Sequence, residues 1–308
     1  MTVTRWTSRH LHLATGAVSA LDRVVEHVVA PAAAETGRPW FFVRYWQGGP
    51  HVRLRVRDLD DAAAARLTAR LEELLTHHGA PRHDEPPVEA AAYAAEAGRQ
   101  ARGETGENRR VGALRPPGVH GADYEPELER YGGAAVMDAS EELFARSSEL
   151  VVRLLPRLPD LGARRQAALR LTEAAARSVG PDVARAVFHE IGRRSWAAWA
   201  ASYGYEPSLV ARVAAVGAAP SPAAFAELPG WARGWHDDVA GLVGTLTTAG
   251  VPLPGTVVSS HVHMTHNRLG LTILDELRTY AVLAATFPAP AGSVPDLGLP
   301  VPSSLVPA

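Results

Sequence analysis

Neither cysteine nor lysine occurs anywhere in the 308 residues. The first absence excludes a thiol nucleophile, a thiolate metal site, an iron–sulfur cluster and any disulfide. The second excludes a Walker-type phosphate loop, a kinase strand lysine, a Schiff base to pyridoxal phosphate and Ser-x-x-Lys acyl transfer. All 31 basic side chains are arginine against 33 acidic ones, and a formal net charge of −2 gives no overall basic field for nucleic acid. Long apolar runs are missing as well. The N-terminal MTVTRWTSRHLHL is polar where a signal peptide needs an apolar core. The Ala-rich stretches are broken by arginine, so none reads as a bilayer span. A soluble, cytoplasmic protein is expected. The hydrophobic fraction of 46% and charged fraction of 21% are ordinary for a packed domain.

What is present changes character along the chain. Residues 4–13 alternate, with Ser8, His10 and His12 on one face and Arg9, Leu11 and Leu13 on the other, which is strand period. Val18, Leu21, Val24, Val25 and Val28 then form a helical stripe. PWFFVRYW, Gln47-Gly48-Gly49-Pro50 and HVRLRVR read as a β-hairpin with a glycine-rich turn, and a helical pattern follows to Gly79. The order β-α-β-β-α matches the opening of a ferredoxin-like unit, although the sequence does not place its fourth strand. Residues 80–121 read as a long polar loop, and helical periodicity dominates from 134 to 286. The expected fold is α+β: a ferredoxin-like antiparallel sheet at the N-terminus, packed beside a larger, mainly helical region. We expect one domain over 1–286, sheet-rich to 133 and helical from 134, with 287–308 as a Pro-rich tail.

Three segments could carry chemistry. Alternation in HVRLRVR sends His51, Arg53, Arg55 and Arg57 to one face, and Arg44 lies on the strand before them. Arginine forks match carboxylates and phosphates, although a solvated sheet face explains the same pattern more simply. YEPELERYGG (124–133) crowds Glu127, Arg130 and Tyr131 before two glycines, and a surface ion pair is its plainer reading. SSHVHMTHNRLG (259–270) puts His261, His263, His266, Asn267 and Arg268 at what reads as the start of the last long helix. Its histidine spacing lacks a His-Glu-x-x-His frame, so no metal is assigned there. Histidine does titrate near neutrality, which suits proton transfer.

Taken together and in this order, WFFVRYWQGGPHVRLRV, YEPELERYGG and HMTHNRLG resemble the C-terminal domain of class I lantibiotic dehydratases and the stand-alone thiopeptide-type bacteriocin biosynthesis proteins. The resemblance runs from about residue 5 to about residue 285. It implies a lyase that removes glutamate from glutamylated Ser or Thr of a precursor peptide, leaving dehydroalanine or dehydrobutyrine. The family's large glutamylation domain has no counterpart in this sequence, so a separate tRNA-dependent glutamylation protein is the expected partner, with the modified peptide as substrate. By the same resemblance Arg53, Arg55, Arg130 and His263 are the catalytic residues. Arg44, His51, Tyr131, His266, Asn267 and Arg268 are assigned to substrate binding, and the three motifs are expected to meet in one site.

Arginine can hold a departing carboxylate and steady an enolate-like charge, but it cannot take the α-proton, which leaves His263 as the base. No metal or organic cofactor is called for. One branch of the same family is the alternative: a pyridine synthase that joins two dehydroalanines by a formal [4+2] cycloaddition and expels the leader peptide. Four retained elimination-type residues favour the lyase. A non-catalytic RNA or leader-binding module is the weakest reading, because no aromatic row stands free of the core pattern and the overall charge argues against direct tRNA binding. The polar segment 98–120, with Gly103, Gly106 and Gly112, reads most simply as a surface loop, and its functional reading is a lid or docking segment that orders on the substrate.

Overall fold

The computed structural model describes residues 5–105 and 112–296. The chain divides into two compact units, one of Met1–Ala101, Asn108–Glu127 and Phe144–Arg157, the other of Arg102–Glu107, Leu128–Leu143 and Leu158–Ala308. The class is α+β, as the alternation before residue 60 and the periodicity after 134 require.

The first unit is built on a four-stranded antiparallel sheet of β1 (Trp6–His12), β2 (Trp40–Tyr45), β3 (His51–Arg57) and β4 (Gly118–Ala122), in the order β2-β3-β1-β4. That is the ferredoxin-like order, and β4 is the strand the sequence did not place. Gly118-Val119-His120-Gly121-Ala122 is short and glycine-containing, and strands of that kind carry almost no periodic signal. Between β1 and β2 runs a helix of α1 (Val18–Val24), a π turn at Val25–Val29 and α2 (Ala30–Ala34). Leu21, Val24, Val25 and Val28 of the expected stripe are buried, whereas Val18, at the first helical position, is 44% exposed.

These helices and Leu67 and Leu71 of α3 (Asp61–His78) supply the buried apolar side chains for the sheet face that carries Leu11, Phe42, Val52, Leu54 and Val56. Asp60 caps α3 by accepting from the Ala63 amide at 2.7 Å. At the β2 edge, Ser148 accepts from the Phe42 amide at 3.2 Å, which occupies one donor of an otherwise open strand. The expected loop at 80–121 is instead interrupted by α4 (Ala90–Thr105) and β4. The run AAAYAAEAGRQARGET is rich in alanine, the strongest helix former, and its polar composition hid that. Residues 106–111 of the proposed lid lie outside the described residues.

The second unit is helical: α6 (Leu161–Val179), α7 (Asp182–Ser202), α8 (Pro207–Ala214), α9 (Gly230–Thr248), α10 (Pro254–Arg268) and α11 (Ile273–Thr286), preceded along the chain by α5 (Met137–Leu154). Trp235 of α9 is buried and donates its indole N–H to the Leu171 carbonyl of α6 at 3.1 Å. Burying such a ring contributes roughly 4–6 kcal/mol of apolar transfer before entropy is counted. The segment 265–286, expected as one helix, is two. Gly270, at φ +74°, closes α10 in a Schellman motif, with the Leu271 amide on the His266 carbonyl at 3.1 Å and the Gly270 amide on Asn267 at 2.9 Å. Two residues later Thr272 and Asp275 form a capping box that starts α11. This turn folds the start of α11 back toward the end of α10, and the chemistry of the unit depends on it.

Candidate active site

On the sheet, register settles which expected residues share a face. His10 pairs with Arg53, His12 with His51 and Ser8 with Arg55, while Tyr45 lies opposite His51 and Phe41 opposite Arg55. All of these project to the face opposite α1–α3, where Phe144 of α5 packs on Phe41. Arg44 pairs with Val52 and so projects to the helical face. There it is buried and donates to Asp22 of α1 at 2.6 Å, an ion pair that ties helix to sheet. Arg44 therefore does not share a face with Arg53, Arg55 and Arg57.

Aromatic rings hold the two catalytic candidates of β3. The Arg53 guanidinium lies 3.4 Å from the Tyr45 ring centre. Arg55 sits 4.8 Å from the Tyr124 ring and 5.4 Å from Phe41. His51 is fully buried, and its Nδ1–H donates to the Gly49 carbonyl at 2.8 Å, which leaves Nε2 to accept from Arg53 Nε at 3.1 Å. His51 thus positions Arg53 rather than meeting solvent itself. The turn behind it needs glycine, since Gly48 and Gly49 have φ of +84° and +101°. Burial, reinforced by the nearby arginines, holds His10 down at about 3 and His12 at about 4, so both rings are neutral at physiological pH.

In the helical unit, α10 presents His263 and His266 one turn apart, and both meet Glu276 of α11. His263 Nδ1 is 2.8 Å from Glu276 Oε1, and His266 Nδ1 is 3.1 Å from Oε2. His266 Nε2 continues the chain to Thr172 Oγ1 of α6 at 2.9 Å. His263 keeps 21% of its side chain exposed, while Glu276 and His266 are buried. Trp196 and Trp199 of α7 stand beside the His263 ring at 5.0 and 6.3 Å between ring centres. Burial pushes the Glu276 carboxyl up to about 7, against hydrogen bonding from His266.

Arg130 donates to Ser260 Oγ at 3.3 Å and stands 5.7 Å from the Tyr131 ring, which packs edge-on against His261 at 5.1 Å. Tyr131, His266 and Arg268 are buried, and Asn267 is partly exposed. Glu276 was not singled out from the sequence. Its signal was the Gly270–Thr272–Asp275 pattern of a helix ending and restarting, which returns an acidic residue to the two histidines.

A partly exposed imidazole backed by a buried carboxyl, and a sheet face of arginines among histidines, define a class of α+β protein suited to moving a proton and holding anions. The chain belongs to the lantibiotic biosynthesis dehydratase C-terminal family, whose model matches residues 6–287.

Solved structures agree on the fold. A pyridine synthase, TbtD, from thiomuracin biosynthesis superposes with a TM-score of 0.66 at 20% identity, covering 92% of this chain and 97% of its own. TsrL gives 0.61 at 14% identity, covering 92% and 95%. The tRNA-dependent lantibiotic dehydratase MibB from Microbispora sp. 107891 gives 0.57 at 18%, covering 91% of this chain but only 28% of MibB. No curated protein sequence matches the chain. Among the described residues, no helix is long and apolar enough to cross a membrane.

Proposed function

We propose that the protein is a lyase that eliminates glutamate from glutamylated Ser or Thr in a ribosomal precursor peptide. The observation that carries this is the His263–Glu276 pair, a partly exposed imidazole whose Nδ1 is held at 2.8 Å by a buried carboxyl. Elimination begins with loss of the α-proton, and His263 Nε2 takes it while Glu276 steadies the imidazolium that forms. The Cα–H electron pair becomes the Cα=Cβ bond, the Cβ–O bond breaks, and glutamate leaves with that pair as its carboxylate.

Arg53 and Arg55 hold the glutamyl carboxylates in this reading. Arg130 neutralises the enolate-like oxygen or the departing carboxylate, as a fixed cation can at any working pH. The family membership supports a part in modifying ribosomal precursor peptides. The substrate is the peptide that a tRNA-dependent glutamylation activity supplies, and the product peptide carries dehydroalanine or dehydrobutyrine.

Variants test the roles. Arg53→Ala and His263→Ala should still bind peptide while glutamyl adducts accumulate in its mass spectrum, the latter slowed by about 10²–10⁴-fold. Normal dehydration by both variants overturns the assignment.

A further inference from the structure

Three histidines on the sheet form a second constellation, which the elimination chemistry leaves unexplained. His10 and His12 lie two residues apart on β1, and His51 pairs with His12 across the β1–β3 ladder. The His12 and His51 rings stack with centres 4.2 Å apart, His10 and His51 at 5.0 Å. One ligand nitrogen from each of the three lies within 4.8 Å of the others.

Their hydrogen bonding follows a pattern that metal-binding histidines share. Such a ring donates from one nitrogen to a backbone carbonyl or carboxylate and presents the lone pair of the other to the ion. His51 donates from Nδ1 to Gly49, and the neighbouring Gly48 backbone hydrogen-bonds the His12 ring. Meanwhile His10 Nε2 and His12 Nδ1 are buried with no hydrogen-bond partner. An unsatisfied buried polar atom costs about 1–3 kcal/mol, so two side by side on one sheet face call for something that accepts both lone pairs. His12 also lines a cavity of about 550 Å³ together with His120, Glu72 and Leu75.

We propose that His10, His12 and His51 bind a divalent transition-metal ion of the zinc type. Three neutral imidazoles and no sulfur suit Zn²⁺, Co²⁺ or Cu²⁺ rather than Mg²⁺ or Ca²⁺, which prefer oxygen. Bringing the three nitrogens from 4.8 Å to a common ion requires small ring movements, and the ion must take the His51 Nε2 lone pair that Arg53 now uses. Occupancy therefore releases Arg53 from His51. Arg53, Arg55 and Arg115 oppose a bare cation here, so the remaining coordination position takes an anion or hydroxide.

The test uses the untagged full chain, stripped with chelator, and reads metal binding rather than turnover. Titration with Zn²⁺ alone by calorimetry should show one saturable equivalent. Co²⁺ should give the intense visible bands of a low-coordinate nitrogen site, and X-ray absorption at the zinc edge should show three imidazoles. His10→Gln and His51→Asn, checked for native circular dichroism, should each weaken binding by at least about tenfold. His10 is the least buried of the three, so His10→Gln keeps the test valid if His51→Asn does not fold. No saturable Zn²⁺ or Co²⁺ binding, affinity unchanged by His10→Gln, or an absorption spectrum lacking three imidazoles overturns the proposal.

Discussion

Replacing Glu276 by Gln removes a charge from the interior and keeps the shape of the side chain. Glu276 serves two ring nitrogens, His263 Nδ1 at 2.8 Å and His266 Nδ1 at 3.1 Å, with one oxygen each. A glutamine has one oxygen and one NH₂ to offer in their place. His266 can adapt, because the Thr172 hydroxyl on its Nε2 either donates or accepts, so the ring can move its proton and take the amide N–H at Nδ1. The glutamine oxygen then still faces His263. What disappears is the charge assistance, roughly 1–2 kcal/mol between a charged and a neutral hydrogen bond, which corresponds to about 5- to 30-fold in kcat.

The same substitution should act on stability with the opposite sign. The folded Glu276 carboxyl titrates at about 7, above its ordinary value of 4.5, so the native chain binds that proton more tightly than the unfolded one. Its favourable contribution is complete below the ordinary carboxylate range and is lost as pH rises through about 7. Glutamine has no such dependence. Glu276→Gln should therefore match the wild type near about pH 4 and exceed it near about pH 9, by on the order of 3 kcal/mol. Wild-type kcat should in turn rise through about pH 7 as Glu276 ionises. Thermal melts at the two pH values, with mass-spectrometric turnover of a glutamylated peptide, measure both effects. An unchanged kcat, or a stability difference that does not grow with pH, refutes the role given to Glu276.

Two further substitutions test the packing that positions these groups. A Cβ at Gly192 of α7 would lie inside the Tyr280 ring of α11, so Gly192→Ala should cost about 1–3 kcal/mol or more by overpacking, read as a lower Tm. Arg44→Ala leaves Asp22 without its buried cation and should cost about 3–5 kcal/mol in a denaturant titration. At a temperature where that variant is folded, it should turn over substrate at the wild-type rate.

The hairpin was legible because its signals are local: alternation in HVRLRVR, aromatics in PWFFVRYW and two glycines between. The sheet order was legible in part, since β-α-β-β-α leaves few ways to close, but β4 has five residues, two of them glycine, and no period to read. Faces were readable within a strand but not across strands. Arg44 sits next to the arginine-rich strand in sequence, and only the pairing with Val52 shows that it points to the helices. For the same reason His10, His12 and His51 gave no sign of meeting; 39 residues separate His12 from His51, and register alone joins them. In the helical unit, His263 stood out by composition. Glu276 did not, because its role depends on a Schellman turn followed at once by a capping box.

The central claim is tested most directly by the mass change the wild-type protein makes in its peptide. Given a precursor peptide carrying glutamylated Ser or Thr, the full chain should remove one glutamate per modified residue, leave dehydroalanine or dehydrobutyrine, and keep the leader attached. Glutamyl adducts that persist, with a dehydroalanine-containing peptide instead losing water and its leader, would contradict elimination and identify a pyridine-forming cycloaddition.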